Sequence, residues 1–303
     1  MNTTPKLDVF SIITNRIIEQ LAQQVIPWRK PWAEAGHPQN LFSKRPYTGI
    51  NTWLLGSLGY SQNYFLTWKQ LKAVGASVKK GEKGTMVIFW KKLPPDQQAE
   101  NDQDPSRSKA VLRYYFVFNI AQIDNLPEVV SIPYPDHVFS SIGACDEIIE
   151  RMPNCPAIIF RKQTAHYDPV KDCINLPKLG SFASSESYYC TLFHELIHST
   201  GHQSRLNRKE VVEPTHYGSV QYGIEELTAE IGACYLNSIA GIVNKEFDNS
   251  VAYIKGWIDL LRNDKRVIVY ASGQAQKATD YILNVQSYQK AEEIFAEQAI
   301  EAQ

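Results

Sequence analysis

Disulfide pairs, long apolar runs and net charge are all scarce in this sequence. The five cysteines are odd in number and form no CxxC pair. We therefore expect reduced, mostly packed thiols rather than disulfides or a cysteine nucleophile. No run approaches the roughly 20 apolar residues of a membrane span, and the N-terminus lacks a signal-peptide core. These absences predict a cytoplasmic protein without a membrane partner.

The small net charge of −1 conceals two parts of opposite sign. Residues 1–93 contain 13 Lys and Arg against 4 Asp and Glu, a net charge of +9, and the remainder carries −10. Five of the six tryptophans also lie in the basic part. A chain of 303 residues has room for two domains that each bury a core. We therefore expect the two parts to have different functions.

Two histidines with a glutamate between them lie in the acidic part, at His194, Glu195 and His198. Residues four apart share one face of a helix, so both imidazoles can reach a single ion. Glu195 projects toward the same edge, where it can accept a hydrogen bond from a metal-bound water. This is the His-Glu-x-x-His arrangement of a zinc hydrolase, and it predicts zinc bound by His194 and His198 with Glu195 as general base. The alternative is two polar histidines on a surface helix.

A catalytic zinc takes three protein ligands, so a third must come from elsewhere in the chain. His202 is nearest, but steps of four residues climb about 6 Å and drift about 40° each, so three such rings cannot converge unless the helix breaks at Gly201. Glu226 and Glu230 share one face of a later, largely apolar helix, where a cation would offset their burial. We assign Glu226 as the third ligand and Glu230 as the hydrogen-bond acceptor behind a ligand histidine. Glu225 is the alternative ligand, and it is otherwise a second acidic residue behind the ligands.

Basic side chains mixed with tryptophan and tyrosine in the first part are typical of surfaces that bind single-stranded nucleic acid. Lysines neutralise phosphates, and ring faces stack on unpaired bases with about 1–3 kcal/mol per base. The alternative is that each tryptophan packs in a core, because tryptophan is on average well buried. Candidates for charge are Arg29, Lys30, Lys79, Lys80 and Lys83, and candidates for stacking are Trp28, Trp32, Tyr47, Trp53 and Trp68.

Hydrophobic periodicity predicts an α+β chain of two domains, at residues 1–126 and 137–303. The first contains helices over 8–25 and 65–72 and strands over 85–92 and 111–120. The second contains a small sheet over 157–177 and helices over 184–199 and 224–239. A proline-containing spacer over 124–136 separates the domains, and the polar stretch 94–109 is expected to be a hairpin insertion.

These motifs together resemble the ArdC-type antirestriction proteins of conjugative plasmids. The matching segments are 26–32, 47–51, 67–70, 78–84 and 117–120 in the basic part, and 194–202 and 225–230 in the acidic part. The resemblance implies an N-terminal domain that binds single-stranded DNA, with Asn51 among its matched residues, and a C-terminal zincin-like metallopeptidase domain. It also implies protection of incoming plasmid DNA from host restriction during conjugation, in the recipient cytoplasm. The Glu226 and Glu230 pair is similar to that of thermolysin-like zinc peptidases.

Two hypotheses of different classes follow. In the first, the protein coats entering single strands and the metal site stabilises the fold or serves a secondary purpose. In the second, it is an active zinc peptidase that cleaves a host or restriction-system protein and is localised by DNA. A nuclease is a weaker option, because nuclease sites usually gather carboxylates around two metals.

Overall fold

The structure is a computed structural model that describes residues 8–29, 36–92, 110–127, 141–213, 216, 218–242 and 251–285. The helices are α1 (Val9–Ala22), α2 (Ile50–Gly56), α3 (Trp68–Ala73), α4 (Ser141–Arg151), α5 (Ser185–Thr200), α6 (Lys209–Val212), α7 (Val220–Ala240), α8 (Val251–Asn263) and α9 (Val267–Ile282). The strands are β1 (Gln39–Asn40), β2 (Tyr64–Thr67), β3 (Ser77–Val78), β4 (Thr85–Lys92), β5 (Ala110–Asn119), β6 (Ile123–Asp124), β7 (Ala157–Ile159), β8 (His166–Asp168) and β9 (Cys173–Asn175). The predicted insertion at 94–109 and most of the predicted spacer lie outside the described residues.

A four-stranded sheet in the order β1-β2-β5-β4 forms the centre of the N-terminal part. The long strands β4 and β5 are antiparallel, as are β2 and β5, and β1 runs parallel to β2. The helix predicted over 65–72 is wrong in its first turn, because β2 occupies residues up to Thr67. Phe65 and Leu66 are both fully buried, so this short apolar run packs on both faces and forms an internal strand. Thr67 then caps α3 through a capping box with Gln70.

The C-terminal part places a long helix against a small sheet. The sheet has the order β7-β9-β8, with β8 antiparallel to β9 and at one edge. Helix α5 lies against β8 and β9, and α7 packs against α5 and α9. The two-domain α+β architecture that the sequence predicted is therefore confirmed. No helix in the described part of the chain has the length and apolar character needed to cross a membrane.

Gly232 sets the close approach of α5 and α7. A Cβ at this position would lie 2.6 Å from Ile197 Cδ1 and 2.9 Å from Ile197 Cγ1, and Ile197 is fully buried. We therefore expect Gly232→Ala to lower the free energy of unfolding by about 1–3 kcal/mol. The measurement is urea unfolding followed by circular dichroism. Gly256→Ala in α8 is the matched control: a methyl there meets nothing within 4 Å, so stability should stay equal or rise by up to about 1 kcal/mol. Equal losses in both variants would contradict the packing argument.

One apolar core joins the two parts of the chain. Helices α1 and α2 contribute buried side chains to the same cluster as α7, α8 and α9. Trp28 lies within it, with its ring centroid 5.8 Å from that of Trp53 and 5.4 Å from that of Trp257. The Trp53 indole N–H also donates to Ser272 Oγ at 3.3 Å. The two domains are thus packed against each other through tryptophan rings.

The segment 47–51 forms a second contact between the parts. The Tyr235 hydroxyl donates to the Gly49 carbonyl at 2.6 Å, and the Gly49 N–H donates to Gln276 Oε1 at 3.0 Å. Gly49 has φ +55° and ψ −137°, a conformation that residues with a Cβ rarely adopt. The Asn51 amide exchanges two hydrogen bonds with the backbone of Ile88 on β4. This segment therefore fixes α2 between the sheet and the C-terminal helices.

Candidate functional site

Two helices bring three potential ligand atoms together. Helix α5 carries His194 and His198 one turn apart, and their Nε2 atoms lie 3.1 Å from each other. Helix α7 brings in Glu226, whose carboxylate oxygens lie 3.5 Å from His194 Nε2 and 3.7 Å from His198 Nε2. A tetrahedral ion with bonds of about 2.1 Å needs ligand atoms about 3.4 Å apart. The spacing of these three residues therefore fits a divalent cation. In the described part of the chain, their potential ligand atoms all lie within 4.8 Å of one another.

The charges around this group also favour a cation. Burial opposes protonation of His194, but the hydrogen bond with Glu226 and the nearby acidic charges together outweigh it and raise the pKa of the imidazole to about 9. The charges of Glu195 and Glu230 add to this rise. Burial likewise opposes ionisation of Glu226, yet its contacts with the two histidines lower the pKa of the carboxyl to about 2. The site is thus electronegative and draws positive charge toward the ligand atoms.

Glu225 lies behind His198, a position for which the sequence offered both Glu230 and Glu225. His198 Nδ1 lies 3.0 Å from Glu225 Oε1, so this nitrogen donates to the carboxylate and leaves Nε2 free to face the ion. Adjacent helical residues point about 100° apart, which is why Glu225 and Glu226 reach opposite sides of His198. Glu226 rather than Glu225, the alternative ligand, therefore belongs to the group of potential ligand atoms. Glu230 is buried close to His194, but no described residue bonds to His194 Nδ1.

Arg208 holds Glu225 in place. Its guanidinium donates to both carboxylate oxygens, with distances of 3.0 Å from Nε and 2.6 Å from a terminal nitrogen. The same guanidinium donates to Thr200 Oγ1 and to the Ile197 carbonyl, so it also ties the end of α5. Burial favours the neutral carboxyl, but the charge of Arg208 lowers the pKa of Glu225 below its usual range. Arg208 was not predicted from the sequence, because a loop residue after the second histidine has no recognisable spacing.

The candidate metal ligands line a cleft of about 430 Å³. Its other lining residues include His166 and Tyr167 of β8, the buried Glu195 beside the ligands, Glu210 and Tyr222. The Tyr222 hydroxyl donates a hydrogen bond to the Glu226 carboxylate. The sequence analysis did not predict Tyr222, because α7 begins at Val220, earlier than expected. His202 takes no part in the ligand group, since α5 ends at Thr200 with Gly201 as its C-cap, and the His202 ring contacts Ser204 instead.

Comparisons with known proteins agree with both parts of the chain. Residues 8–118 match the family described as the N-terminal domain of anti-restriction factor ArdC, and residues 146–274 match the family described as Zincin-like metallopeptidase. The chain is similar to the crystal structure of the antirestriction ArdC protein from the R388 plasmid in its Mn(II)-bound form, with 33% identity and a TM-score of 0.73. That likeness covers 92% of this chain and 98% of the other. The chain belongs to the ArdC antirestriction family.

Two further proteins are similar to this chain over most of its length. The metal-free structure of the R388 ArdC protein is 32% identical with a TM-score of 0.71, covering 93% of this chain and all of the other. A DNA primase TraC of Escherichia coli is 35% identical over 93% of this chain. This chain spans only 20% of the length of that primase. The ArdC architecture therefore also occurs as a segment of a larger protein.

The structure corrects four of the DNA contacts predicted for this ArdC-family chain. Trp28 and Trp53 are 1% and 0% exposed, and Tyr47 and Asn51 are also buried. Base stacking requires an accessible ring face. The rings of Trp28, Trp53 and Tyr47 instead pack in the protein core, and the Asn51 amide forms a hydrogen bond with the backbone of β4. Trp68 is 40% exposed, and Lys79, Lys80 and Lys83 are also exposed. The side chain of Arg29, together with Lys30 and Trp32, lies outside the described residues.

Proposed function

We propose that this protein binds single-stranded DNA and protects incoming plasmid DNA from host restriction during conjugation, in the recipient cytoplasm. The observation that carries the proposal is the likeness to the R388 antirestriction protein over 92% of this chain and 98% of the other. The basic first part supports it, with a net charge of +9 over residues 1–93. In this proposal residues 1–126 form the DNA-binding domain and residues 137–303 the metallopeptidase-like domain.

We further propose zinc as the resident cation of His194, His198 and Glu226. Two imidazole nitrogens with one carboxylate oxygen form a ligand set typical of catalytic zinc, which leaves a position open for water. The Mn(II) in the R388 structure supports a site that also accepts other divalent cations, since imidazole and carboxylate ligands suit several of them.

An active zinc peptidase is the second candidate function. The observation that favours it is the position of Glu195, which lines the cleft beside the ligands. A zinc ion supplies Lewis-acid activation of water and of a carbonyl at such a site. Glu195 is placed to take a proton, Tyr222 orients the Glu226 carboxylate, and the edge strand β8 lies beside the cleft, where a peptide can add as a further strand. The substrate would be a host or restriction-system protein.

Glu195→Gln separates the two candidates, because it removes the base and keeps the size of the side chain. We expect this variant to retain metal, fold and antirestriction, measured as plasmid transfer into restricting relative to non-restricting recipients. His198→Ala serves as the companion variant that loses metal, measured by elemental analysis. If Glu195→Gln abolishes protection while its metal content and melting temperature equal those of wild type, the peptidase candidate is correct. A wild-type protein that gives no protection would refute the antirestriction proposal itself.

A further inference from the structure

Strand β5 has an unusual outer face. Its side chains alternate between a buried face, with Tyr115, Val117 and Asn119, and a partly exposed face, with Tyr114, Phe116 and Phe118. The open face of an antiparallel sheet is ordinarily polar. Here the face carries aromatic rings at three alternate positions of β5, and Phe116 is 37% exposed. A partly exposed aromatic row of this kind indicates a binding surface.

Trp68 extends this row at the start of α3. Its ring centroid lies 5.7 Å from that of Phe118, and the Tyr114 and Phe116 centroids are 5.8 Å apart. We refer to Trp68, Tyr114, Phe116 and Phe118 as the aromatic face. Phe118 and Tyr114 each rest partly on the core clusters below them, which holds their rings in place. Two of the four rings are therefore anchored by the core, and the Trp68 and Phe116 rings each contact one of them.

Lysines lie beside part of the aromatic face. Residues 64–92 contain seven Lys and one acidic residue, Glu82, which accepts a hydrogen bond from Gln122. Lys72 Nζ lies over the Trp68 ring, 5.7 Å from its centroid. The turn that carries Lys80 and Lys83 is held against the rings, because a Cβ on Gly84 would lie 3.0 Å from both Phe116 and Phe118. Positive charge and open rings thus occur together.

We propose that the aromatic face binds unpaired bases, with the phosphates held by the lysines of α3 and of the 79–83 turn. This inference rests on the proposed function and names the surface that performs it. The charge decides between possible occupants: a row of rings within a cluster of lysines fits a polyanion with stackable bases better than an apolar protein surface. Recognition through ring faces is independent of base identity, so the binding should tolerate many sequences.

The test measures binding of a fluorescent oligothymidylate by anisotropy at low salt. Trp68→Ala and Phe116→Ala are each expected to weaken binding about tenfold or more. Phe116→Tyr keeps a ring and should bind like wild type. Phe160→Ala is the matched control, since Phe160 is an exposed phenylalanine in the C-terminal part, and it should leave affinity unchanged.

The charge is tested separately. The double variant Lys80→Gln with Lys83→Gln should weaken binding and reduce the slope of log affinity against log salt by roughly 0.7 for each phosphate that a lysine no longer neutralises. Lys255→Gln, on the exposed surface of α8, should leave the slope unchanged.

The outcomes distinguish this inference from the proposed function. A wild-type protein that does not retain the oligonucleotide at low salt refutes DNA binding altogether. If wild type binds, and Trp68→Ala and Phe116→Ala bind equally well with unchanged melting temperatures, then the aromatic face is not the surface, although DNA binding stands. Weaker binding of both Trp68→Ala and Phe116→Ala, together with wild-type binding of Phe116→Tyr, supports the inference.

Discussion

Replacing Arg208 by methionine is expected to lower the free energy of unfolding by about 3–5 kcal/mol, measured by urea unfolding in the presence of a chelator. Arg208 and Glu225 are each more than nine-tenths buried, and the guanidinium meets both carboxylate oxygens. Methionine fills similar space but leaves a buried carboxylate without its cation. Removing one partner of a buried pair is costly, because the remaining charge has neither water nor counter-charge.

A double variant shows whether the unpaired charge is the cause. Arg208→Met combined with Glu225→Leu removes both charges, and we expect it to recover most of the stability, since well-packed apolar residues often replace a buried ion pair without loss. The same double variant leaves His198 Nδ1 without its acceptor. We therefore expect its affinity for zinc to fall by roughly 10–100-fold, measured by competition with a chromogenic chelator. A double variant as unstable as Arg208→Met alone would show that the packing of Arg208, rather than its charge, matters.

The grouping of His194, His198 and Glu226 was largely predictable because its decisive spacings are local. His194 and His198 share a helical face by periodicity alone, and Glu226 was found because an acidic residue on an apolar helix requires a counter-charge. The residue behind His198 could not be chosen from the sequence, because Glu225 and Glu230 both satisfy that chemistry and only the rotation of α7 relative to α5 places Glu225 there. Arg208 reaches the site through a loop, whose path depends on tertiary packing.

The exposure of the candidate DNA-binding residues was predicted less well, for a different reason. Composition shows that lysines and aromatic rings are abundant in the first part, but it does not show which rings are exposed. Trp28 and Trp53 are buried because helices of the other domain cover them, a long-range contact with no local signal. Strand β5 carries aromatic residues on both faces, so its alternation does not distinguish the inner Tyr115 from the outer Phe116.

Trp28→Ala is expected to lower the free energy of unfolding by about 3–5 kcal/mol, the cost typical of removing a fully buried large aromatic side chain. The Trp28 indole packs edge-on against Trp53 and Trp257, one from each part of the chain, and alanine cannot reach either ring. Trp90→Ala is the matched control, because Trp90 is 44% exposed and its removal should cost about 1 kcal/mol or less. The measurement is urea unfolding of each variant beside wild type.

The same shared core predicts that the two domains unfold together. In wild type, tryptophan fluorescence and far-ultraviolet circular dichroism should give one coincident transition, since α1 and α2 complete a cluster built on α7, α8 and α9.

Deleting residues 1–125 would expose that cluster to water, so we expect the remaining fragment to aggregate rather than to fold as a separate metallopeptidase domain. A double-mutant cycle of Trp28→Ala and Trp257→Ala should show a coupling energy of about 0.5–3 kcal/mol. A soluble, zinc-binding fragment with native helicity would contradict the prediction of a shared core, because it would show that the C-terminal domain folds without the N-terminal helices.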